Sequence, residues 1–231
     1  MARFRSKKSQ LLEWLGSPDW KEHLDAIAAG GMASAGPLMG FLNHEPVLRL
    51  RAAIALGRTA DALYREHAER GRDIVRRLMW RLSEESGNIG WGVPEAFGEV
   101  LSHCPPLAKE FHRILFTTIL DLGFDDNYVD NDVLRRSCFF AIGRFLAAVP
   151  EYGDKIRPLL VKGLSDTDMA CRGYAAWALG QLSPDLNEAP LLRALAESGN
   201  GAECVITDGD RVATCTAAQL ARKTLLREPA L

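Results

Sequence analysis

An internal repeat is the feature that most restricts the fold of this chain. The segment RAAIALGR at residues 51–58 returns in altered form as CFFAIGR at 138–144 and as YAAWALGQ at 174–181, with a fainter copy, VPEAFGE, at 93–99. The glycines of successive copies, Gly57, Gly98, Gly143 and Gly180, lie 41, 45 and 37 residues apart. Such a period fits one pair of helices per repeat. The sequence therefore predicts stacked helix pairs rather than one closed core.

The small residues of these copies indicate close packing. Ala and Gly at helical spacing let two helix backbones approach each other, whereas a helical Gly costs about 0.5–1 kcal/mol relative to Ala. We therefore expect the first helix of each repeat to contact the first helix of the next. An earlier copy fits the same scheme, with a first helix that ends near Gly30 and a short second segment at 36–42.

A proline followed by apolar residues opens the second half of several copies: PLMGFL at 37–42, PLLVKGL at 158–164 and PLLRAL at 190–195. A first helix with R-x-x-A-A-x-A-L-G and a second with P-L-L-x-x-L resemble HEAT-like repeats of the phycobilisome-lyase type, and the resemblance covers most of residues 10–198. It implies an all-α fold, a right-handed α-solenoid (superhelix) of about five to six HEAT-like repeats. It leaves the function open, because scaffolds, lyases and DNA-repair enzymes all use such repeats.

The C-terminal part departs from the repeat pattern. Two β-type runs, ECVIT and RVATCT, flank an Asp-Gly turn, which predicts a hairpin at 203–216. Thr216 and Gln219 predict a capping box for a final helix over 217–226. We therefore expect a single repeat domain over 1–231, with helical repeats at 10–198 and, at 199–231, a cap that shields the last repeat. The alternative to a cap is a hairpin that itself serves as a binding element.

Composition indicates a soluble, mainly helical chain. Of the 231 residues 47% are hydrophobic and 25% charged, the net charge is −2, and no run reaches the roughly 18 apolar residues of a membrane span. The first ten residues are basic, but the apolar run that follows at 11–15 is too short and too charged for a signal peptide. We therefore expect a cytoplasmic protein without a membrane partner.

The cysteines and acidic residues do not predict a metal site or a cofactor. The five cysteines are odd in number and form no C-x-x-C pair, so we expect reduced thiols, with Cys138 and Cys171 buried. The acidic loop at 123–132 lacks the glycine and the closing glutamate of an EF-hand loop. Asp132 is predicted to be the N-cap of the following helix.

Most candidate functional residues lie at 80–95, in the segment WRLSEESGNIGWGVPE. It contains two tryptophans, three carboxylates and three glycines, more than a connector between helices requires. Aromatic faces stack on planar or cationic ligands, and clustered carboxylates attract cations. Pro94 suits the first turn of the next helix, which leaves Trp91 outside it. The predicted binding residues are Arg77, Trp80, Arg81, Glu84, Glu85, Asn88, Trp91 and Glu95.

Arginines recur along the second helix predicted over 65–85. Arg70, Arg77 and Arg81 follow at spacings of seven and four, close to one helical stripe. Acidic residues interleave with them, so the simpler interpretation is a salt-bridged face in solvent. A ligand-binding face is the alternative, because second helices line the concave side of HEAT-like solenoids.

A second resemblance concerns Trp91 and Glu95. HEAT-like alkylpurine DNA glycosylases use tryptophans and an Asp in a concave groove, with the spacing Trp-x-x-x-Asp, and this chain has Glu95 where that family has Asp. That family relies on a basic groove. Here an excess of cations is confined to residues 1–85, with 14 Lys and Arg against 11 Asp and Glu. Only a local patch could therefore bind phosphates.

Together these patterns favour a non-catalytic HEAT-like repeat scaffold that binds a protein or another ligand through its concave second-helix face, centred on 80–95. The alternative is a DNA-binding enzyme of the alkylpurine glycosylase type, with a nucleic acid as partner. A continuous positive groove with an exposed tryptophan would favour DNA, and an apolar or acidic groove would favour a protein.

Overall fold

The structure, a computed structural model, describes residues 2–83, 90–123, 127–183, 185–199 and 201–227 and is mainly helical. The helices are α1 (Ala2–Gly16), α2 (Leu24–Ala29), α3 (Met32–Phe41), α4 (Pro46–Glu66), α5 (Ala68–Leu82), α6 (Val93–His103), α7 (Pro105–Thr117), α8 (Asp132–Ala148), α9 (Gly153–Gly163), α10 (Met169–Leu179), α11 (Ala189–Glu197) and α12 (Ala217–Leu226). Short 3-10 turns at Trp20–His23 and Pro150–Tyr152 precede α2 and α9. Two strands, β1 (Glu203–Thr207) and β2 (Val212–Thr216), precede α12.

The chain divides into two compact units, Met1–His112 and Arg113–Leu231. In the first unit α4 packs on α3, α5 and α6, and in the second unit α10 packs on α8, α9 and α12. Consecutive helices pair as α2/α3, α4/α5, α6/α7, α8/α9 and α10/α11 in the part of the chain that the structure describes. The all-α, α-solenoid class of fold is confirmed, with its small C-terminal sheet. That both units form a single domain stays a prediction.

Two of the repeat glycines, Gly57 and Gly143, lie where two first helices approach one another. A Cβ atom on Gly57 of α4 would lie 2.6 Å from the carbonyl oxygen of Glu99 in α6, and one on Gly143 of α8 would collide with the Trp177 ring of α10. These neighbours belong to the first helices of other pairs. The predicted role of the small residues is therefore confirmed, because a Cβ atom at either position would come too close to a neighbouring first helix.

Three first helices begin with the same N-terminal cap. The side chains of Glu45, Asn131 and Asp168 each accept a hydrogen bond from the backbone N–H three residues ahead. Each of these residues lies twelve positions before its repeat glycine. The prediction that Asp132 caps α8 is wrong, because Asn131 is the cap and Asp132 is the first helical residue.

The boundary between the first two long helices lies later than predicted. The sequence predicts a second helix from residue 65, but α4 continues to Glu66 and α5 begins at Ala68. The intervening His67 has an extended backbone, with φ −159° and ψ 115°. After Pro46 at its first position, α4 contains no proline to stop it, so it extends over 21 residues.

The C-terminal hairpin and its helix follow the predicted pattern. Strands β1 and β2 pair antiparallel, and Asp208 closes their turn by accepting hydrogen bonds from the N–H groups of Asp210 and Arg211. The Thr216 hydroxyl accepts from the Gln219 N–H, and the Gln219 side chain accepts from the Thr216 N–H. The capping box is therefore confirmed. Helix α12 packs on both helices of the last pair, α10 and α11.

The cysteines belong to the packed interior. All five are free and buried, which confirms the predicted burial of Cys138 and Cys171. Among the described residues no group of His, Cys, Asp and Glu could hold a metal ion. None of the helices in the described ranges is both long and apolar enough to span a bilayer.

Candidate functional site

Helix α5 has one buried face and one exposed face. Its buried residues, Gly71, Ile74, Val75 and Leu78, recur at helical spacing and form one stripe. The opposite side carries Glu69, Asp73, Arg76, Arg77 and Trp80, which we call the α5 outer face. The Trp80 side chain is 70% exposed. Trp80 therefore presents most of its indole ring to solvent, whereas most tryptophans are largely buried.

The arginines on and beside the α5 outer face pair with carboxylates of neighbouring turns. The N–O distances are 2.7 Å for Arg70–Glu66, 2.9 Å for Arg76–Glu69 and 2.8 Å for Arg77–Asp73. The predicted salt-bridged face in solvent is therefore confirmed. Water and salt screen exposed pairs of this kind. The paired groups neutralise one another's charge but add little to stability.

Arg72 joins α5 to α7 within the first unit. Its Nε and Nη2 atoms donate to the two carboxylate oxygens of Glu110 at 2.7 and 2.9 Å, and its Nη1 donates to Glu69 at 2.7 Å. The Arg72 guanidinium lowers the pKa of Glu110, and Arg76 and Arg72 together lower the pKa of Glu69. A two-pronged contact of this kind fixes orientation, so it aligns the second helices α5 and α7.

Helix α3 lies beside α5 and runs in the same direction. At the start of both helices, Met32 and residues from His67 to Arg77 line a shallow depression. Near the end of both helices, Arg81 Nη1 donates to the carbonyl oxygen of Met39 at 3.1 Å. Arg81 therefore links α5 to α3 near their ends, and the depression lies at their starts.

The solvent side of α3 has almost no side chains. Its exposed residues are Ala33, Gly36 and Gly40. A Cβ atom on Gly36 or on Gly40 would meet no atom within 4 Å. This side of α3 is therefore open to solvent.

The loop before α6 passes close to its neighbours. A Cβ atom on Gly90 would lie 2.8 Å from the Arg81 carbonyl oxygen, and one on Gly92 would collide with the carbonyl oxygen of Leu42. Gly92 also has a positive φ of 70°, a backbone conformation that residues with a side chain rarely adopt. Between these glycines, Trp91 is partly exposed. It lies outside α6, as predicted.

Glu95 lies inside the first unit. It is 5% exposed, and its Oε1 atom is 3.5 Å from Nη1 of Arg49 in α4. Two other N–H groups of Arg49 donate to the carbonyl oxygen of His44, in front of α4. This arrangement is that of an ion pair between helices rather than of a carboxylate open to a substrate.

The predicted site residues therefore occupy separate places. Arg77 and Trp80 share the α5 outer face, Arg81 reaches α3, and Trp91 and Glu95 lie at the start of α6. Glu84, Glu85 and Asn88 lie outside the described residues.

Three arginines donate hydrogen bonds to the loops that precede first helices. The sequence analysis did not predict them as site residues. Arg49, Arg135 and Arg172 each lie eight residues before a repeat glycine. They donate to the carbonyl oxygens of His44, Asp130 and Asp166, at 3.0, 2.9 and 2.5 Å. The constant distance from the glycine is the signal that could have identified them from the sequence.

Arg135 is the most enclosed of these arginines, with a side chain only 2% exposed. All five of its N–H groups donate: Nε and Nη2 to Asp166 at 2.9 Å each, Nη2 also to Asp132 at 2.7 Å, and Nη1 to the carbonyl oxygens of Val129 and Asp130 at 3.0 and 2.9 Å. Burial opposes the charge, but the bonds to Asp166 and Asp132 outweigh it and raise the Arg135 pKa. Arg135 therefore holds α8 to the loop before α10.

Arg136 makes a second contact to the same loop. Its Nε and Nη2 atoms donate to the two oxygens of Asp168 at 2.9 and 2.6 Å, and Asp168 also accepts from the Cys171 N–H as the cap of α10. The Arg136 guanidinium is the main cause that lowers the pKa of Asp168 to about 2.

This shift predicts a pH dependence of stability. Because the folded pKa lies below the ordinary value of 3.8, ionised Asp168 stabilises the fold above about pH 4, and this contribution is lost as the pH falls towards 2. Asp168→Asn removes the charge at every pH. In urea unfolding between pH 5 and pH 2, we expect the stability difference between wild type and Asp168→Asn to shrink with falling pH. A constant difference would contradict the role of the charge.

Comparisons with known proteins identify a helical repeat. The HEAT repeat family model matches residues 156–186, which include most of α9 and all of α10. An uncharacterized protein of Archaeoglobus fulgidus is 29% identical over 153 residues, 65% of this chain and 75% of that protein. A solved structure, the designed armadillo repeat protein YIII(Dq.V1)4CPAF in complex with the peptide (KR)4, has a TM-score of 0.46 at 17% identity, over 95% of this chain and 98% of that chain.

Proposed function

We propose that this protein is a non-catalytic HEAT-like repeat scaffold that binds a partner protein through the second helices of its first unit. The observation that carries the proposal is Trp80, which is 70% exposed on the α5 outer face. Trp and Arg are the residue types most enriched among those that dominate binding energy at protein interfaces. Arg77 and Arg76 lie three and four residues before Trp80, on the adjacent helical turn.

A DNA enzyme has less support from the same residues. Phosphate binding depends on cations that are free to neutralise the backbone. The α5 arginines are already paired with Glu66, Glu69 and Asp73. Glu95, which stands where the glycosylases have Asp, is buried against Arg49. These contacts favour a protein partner.

A cytoplasmic location is part of the proposal. Reduced thiols are typical of proteins in reducing compartments. The five free, buried cysteines fit such a compartment.

Trp80→Ala tests the proposed interface. We expect the affinity for the partner protein to fall at least about tenfold, because an exposed aromatic side chain at an interface contributes contact area to the partner. The melting temperature should stay within about 2 °C of wild type, because the ring contributes little to the core. The partner is first captured from an extract of the source organism and identified, and its affinity is then measured with purified proteins.

Val133→Ala is the matched control. Val133 is also an exposed apolar residue, 49% exposed, but it lies on α8 in the second unit. This variant should bind the partner as wild type does. Equal binding by Trp80→Ala and wild type would refute the proposed interface. Excision of alkylated bases from DNA by the wild-type protein would refute the proposal that the protein is non-catalytic.

A further inference from the structure

We infer that Cys204 and Cys215 form a site of reversible oxidation, at which hydrogen peroxide converts the two thiols into one disulfide across the C-terminal hairpin. The inference does not depend on the proposed interface, because the cysteines belong to the second unit and Trp80 to the first. It rests on the register of β1 and β2, on the burial of both side chains and on the contacts of the Cys204 sulfur.

The register of the hairpin places the two cysteines side by side. Cys204 and Cys215 are direct partners in the antiparallel pairing of β1 with β2. Side chains of direct partners lie on the same face of a sheet. Cys204 is 0% and Cys215 7% exposed, whereas Val212 and Thr214, on the other face of β2, are exposed. The two thiols are therefore neighbours on the buried face of the hairpin.

The hydrogen bonds of the hairpin set the distance between the two cysteines. At its open end the Ala217 N–H donates to the carbonyl oxygen of Ala202, directly opposite, at 2.9 Å, whereas the Val205 N–H points out of the hairpin and donates to a side chain of α10 at 2.8 Å. Hydrogen-bonded and non-hydrogen-bonded pairs alternate along antiparallel strands, so Cys204 and Cys215 form a hydrogen-bonded pair with Cα atoms about 5.5 Å apart. This distance lies within the range of roughly 4.4–6.8 Å that is usual for disulfides.

Two features favour the thiols over the disulfide and make the disulfide easy to reduce. The Cβ atoms of direct partners lie about 4.5–5.5 Å apart, with hydrogen-bonded pairs at the wide end, and a disulfide draws them to about 3.5–4.5 Å. The Cys204 thiol also donates to the carbonyl oxygen of Ala170 in α10 at 3.5 Å, a bond that a disulfide sulfur cannot make because it carries no proton. Strained disulfides are the more easily reduced ones. The pair is therefore suited to reversible oxidation.

The two thiols differ in their surroundings. Burial raises the pKa of Cys204 to about 12, so this thiol keeps its proton at neutral pH. The Cys204 sulfur is enclosed by α10, since a Cβ atom on Gly173 would lie 2.7 Å from it. Cys215 lies on β2, the more exposed of the two strands. Because a hairpin can open locally at a lower free energy than the whole protein, peroxide reaches Cys215 first.

The oxidation proceeds in two balanced steps. The Cys215 thiolate attacks one oxygen of hydrogen peroxide, the O–O bond breaks, and the products are a sulfenic acid and a hydroxide that takes up the proton lost by the thiol. The Cys204 sulfur then attacks the Cys215 sulfur, and the sulfenic acid oxygen leaves as water with the Cys204 proton. Two electrons pass from the two thiols to the peroxide, which is reduced to two molecules of water.

Peptide mapping of the wild-type protein after treatment with hydrogen peroxide tests the inference. Free thiols are alkylated in urea, and trypsin then cleaves after Arg211, between the two cysteines, so that peptides 194–211 and 212–222 carry one cysteine each. We expect these two peptides to be joined until a reductant is added, and the other three cysteines to be alkylated. Separate peptides, or a disulfide from either one to another cysteine, would overturn the inference.

Reduced glutathione tests whether the oxidation is reversible. Added at millimolar concentration to the folded, oxidised protein, it should restore both thiols, because the disulfide is strained. A disulfide that resists glutathione until the protein is unfolded would overturn the proposed reversibility.

Three single variants test the order of the two steps. In Cys204→Ala, Cys215 should stop at the sulfenic acid, which dimedone traps. In Cys215→Ala, Cys204 should be oxidised at least about tenfold more slowly than Cys215 is in Cys204→Ala, because its thiolate is scarce. Cys138→Ala removes another buried cysteine of the second unit and is the matched control, which should form the disulfide as wild type does. Equal rates in the first two variants would overturn the assignment of Cys215 as the first thiol to react.

Discussion

Arg135→Ala is expected to lower the free energy of unfolding by about 3–5 kcal/mol, the range measured when one partner of a buried ion pair is removed. The Asp166 side chain is only 9% exposed and would keep its charge without the guanidinium that neutralises it. The carbonyl oxygens of Val129 and Asp130 would lose their donor as well. Urea unfolding of the purified protein at neutral pH measures the change.

Arg136→Ala is the matched control for this prediction. Arg136 also pairs with a carboxylate of the loop before α10, but its side chain is 35% exposed. Water can replace much of that interaction, so we expect a loss of about 1 kcal/mol. If Arg135→Ala lowered the free energy of unfolding no more than Arg136→Ala does, burial would not make the Arg135–Asp166 pair more stabilising.

Gly57→Ala is expected to destabilise the protein by about 1–3 kcal/mol, although alanine is the better helix former. The new methyl group would lie 2.6 Å from the Glu99 carbonyl oxygen and 2.9 Å from the carbonyl carbon. These atoms belong to the backbone of α6, so they can move only if the helix moves. Thermal and urea unfolding both measure the loss.

The same substitution at Gly40 should have the opposite sign. Gly40 is helical and exposed, and a Cβ atom there meets nothing within 4 Å, so Gly40→Ala should stabilise by about 0.5–1 kcal/mol. Gly143→Ala should be milder than Gly57→Ala, because the nearest atoms belong to the partly exposed Trp177 ring, which can shift. Equal effects at Gly57 and Gly40 would contradict the assignment of Gly57 to a close helix contact.

Much of the candidate site could be anticipated only as a list of residue types. The spacing of Arg70 and Arg77 between acidic residues predicts the salt-bridged face that the structure contains. The sequence does not distinguish Trp80 from Trp91. In the structure Trp80 is 70% exposed, whereas Trp91 is less exposed and lies between two glycines with close neighbours. Their difference depends on which helices pass beside them.

The sequence by itself determined the features that depend on neighbours along the chain. Helical periodicity and the repeated glycines predict the helix pairs and their close contact, and Thr216 with Gln219 predicts the start of α12. Only the tertiary structure decided which charged groups are buried. Glu95 meets Arg49, and Arg135 meets Asp166, 31 residues away, because packing of one helix against another brings them together. Local patterns carry no information on such pairs, since burial and charge pairing depend on groups that are distant in sequence.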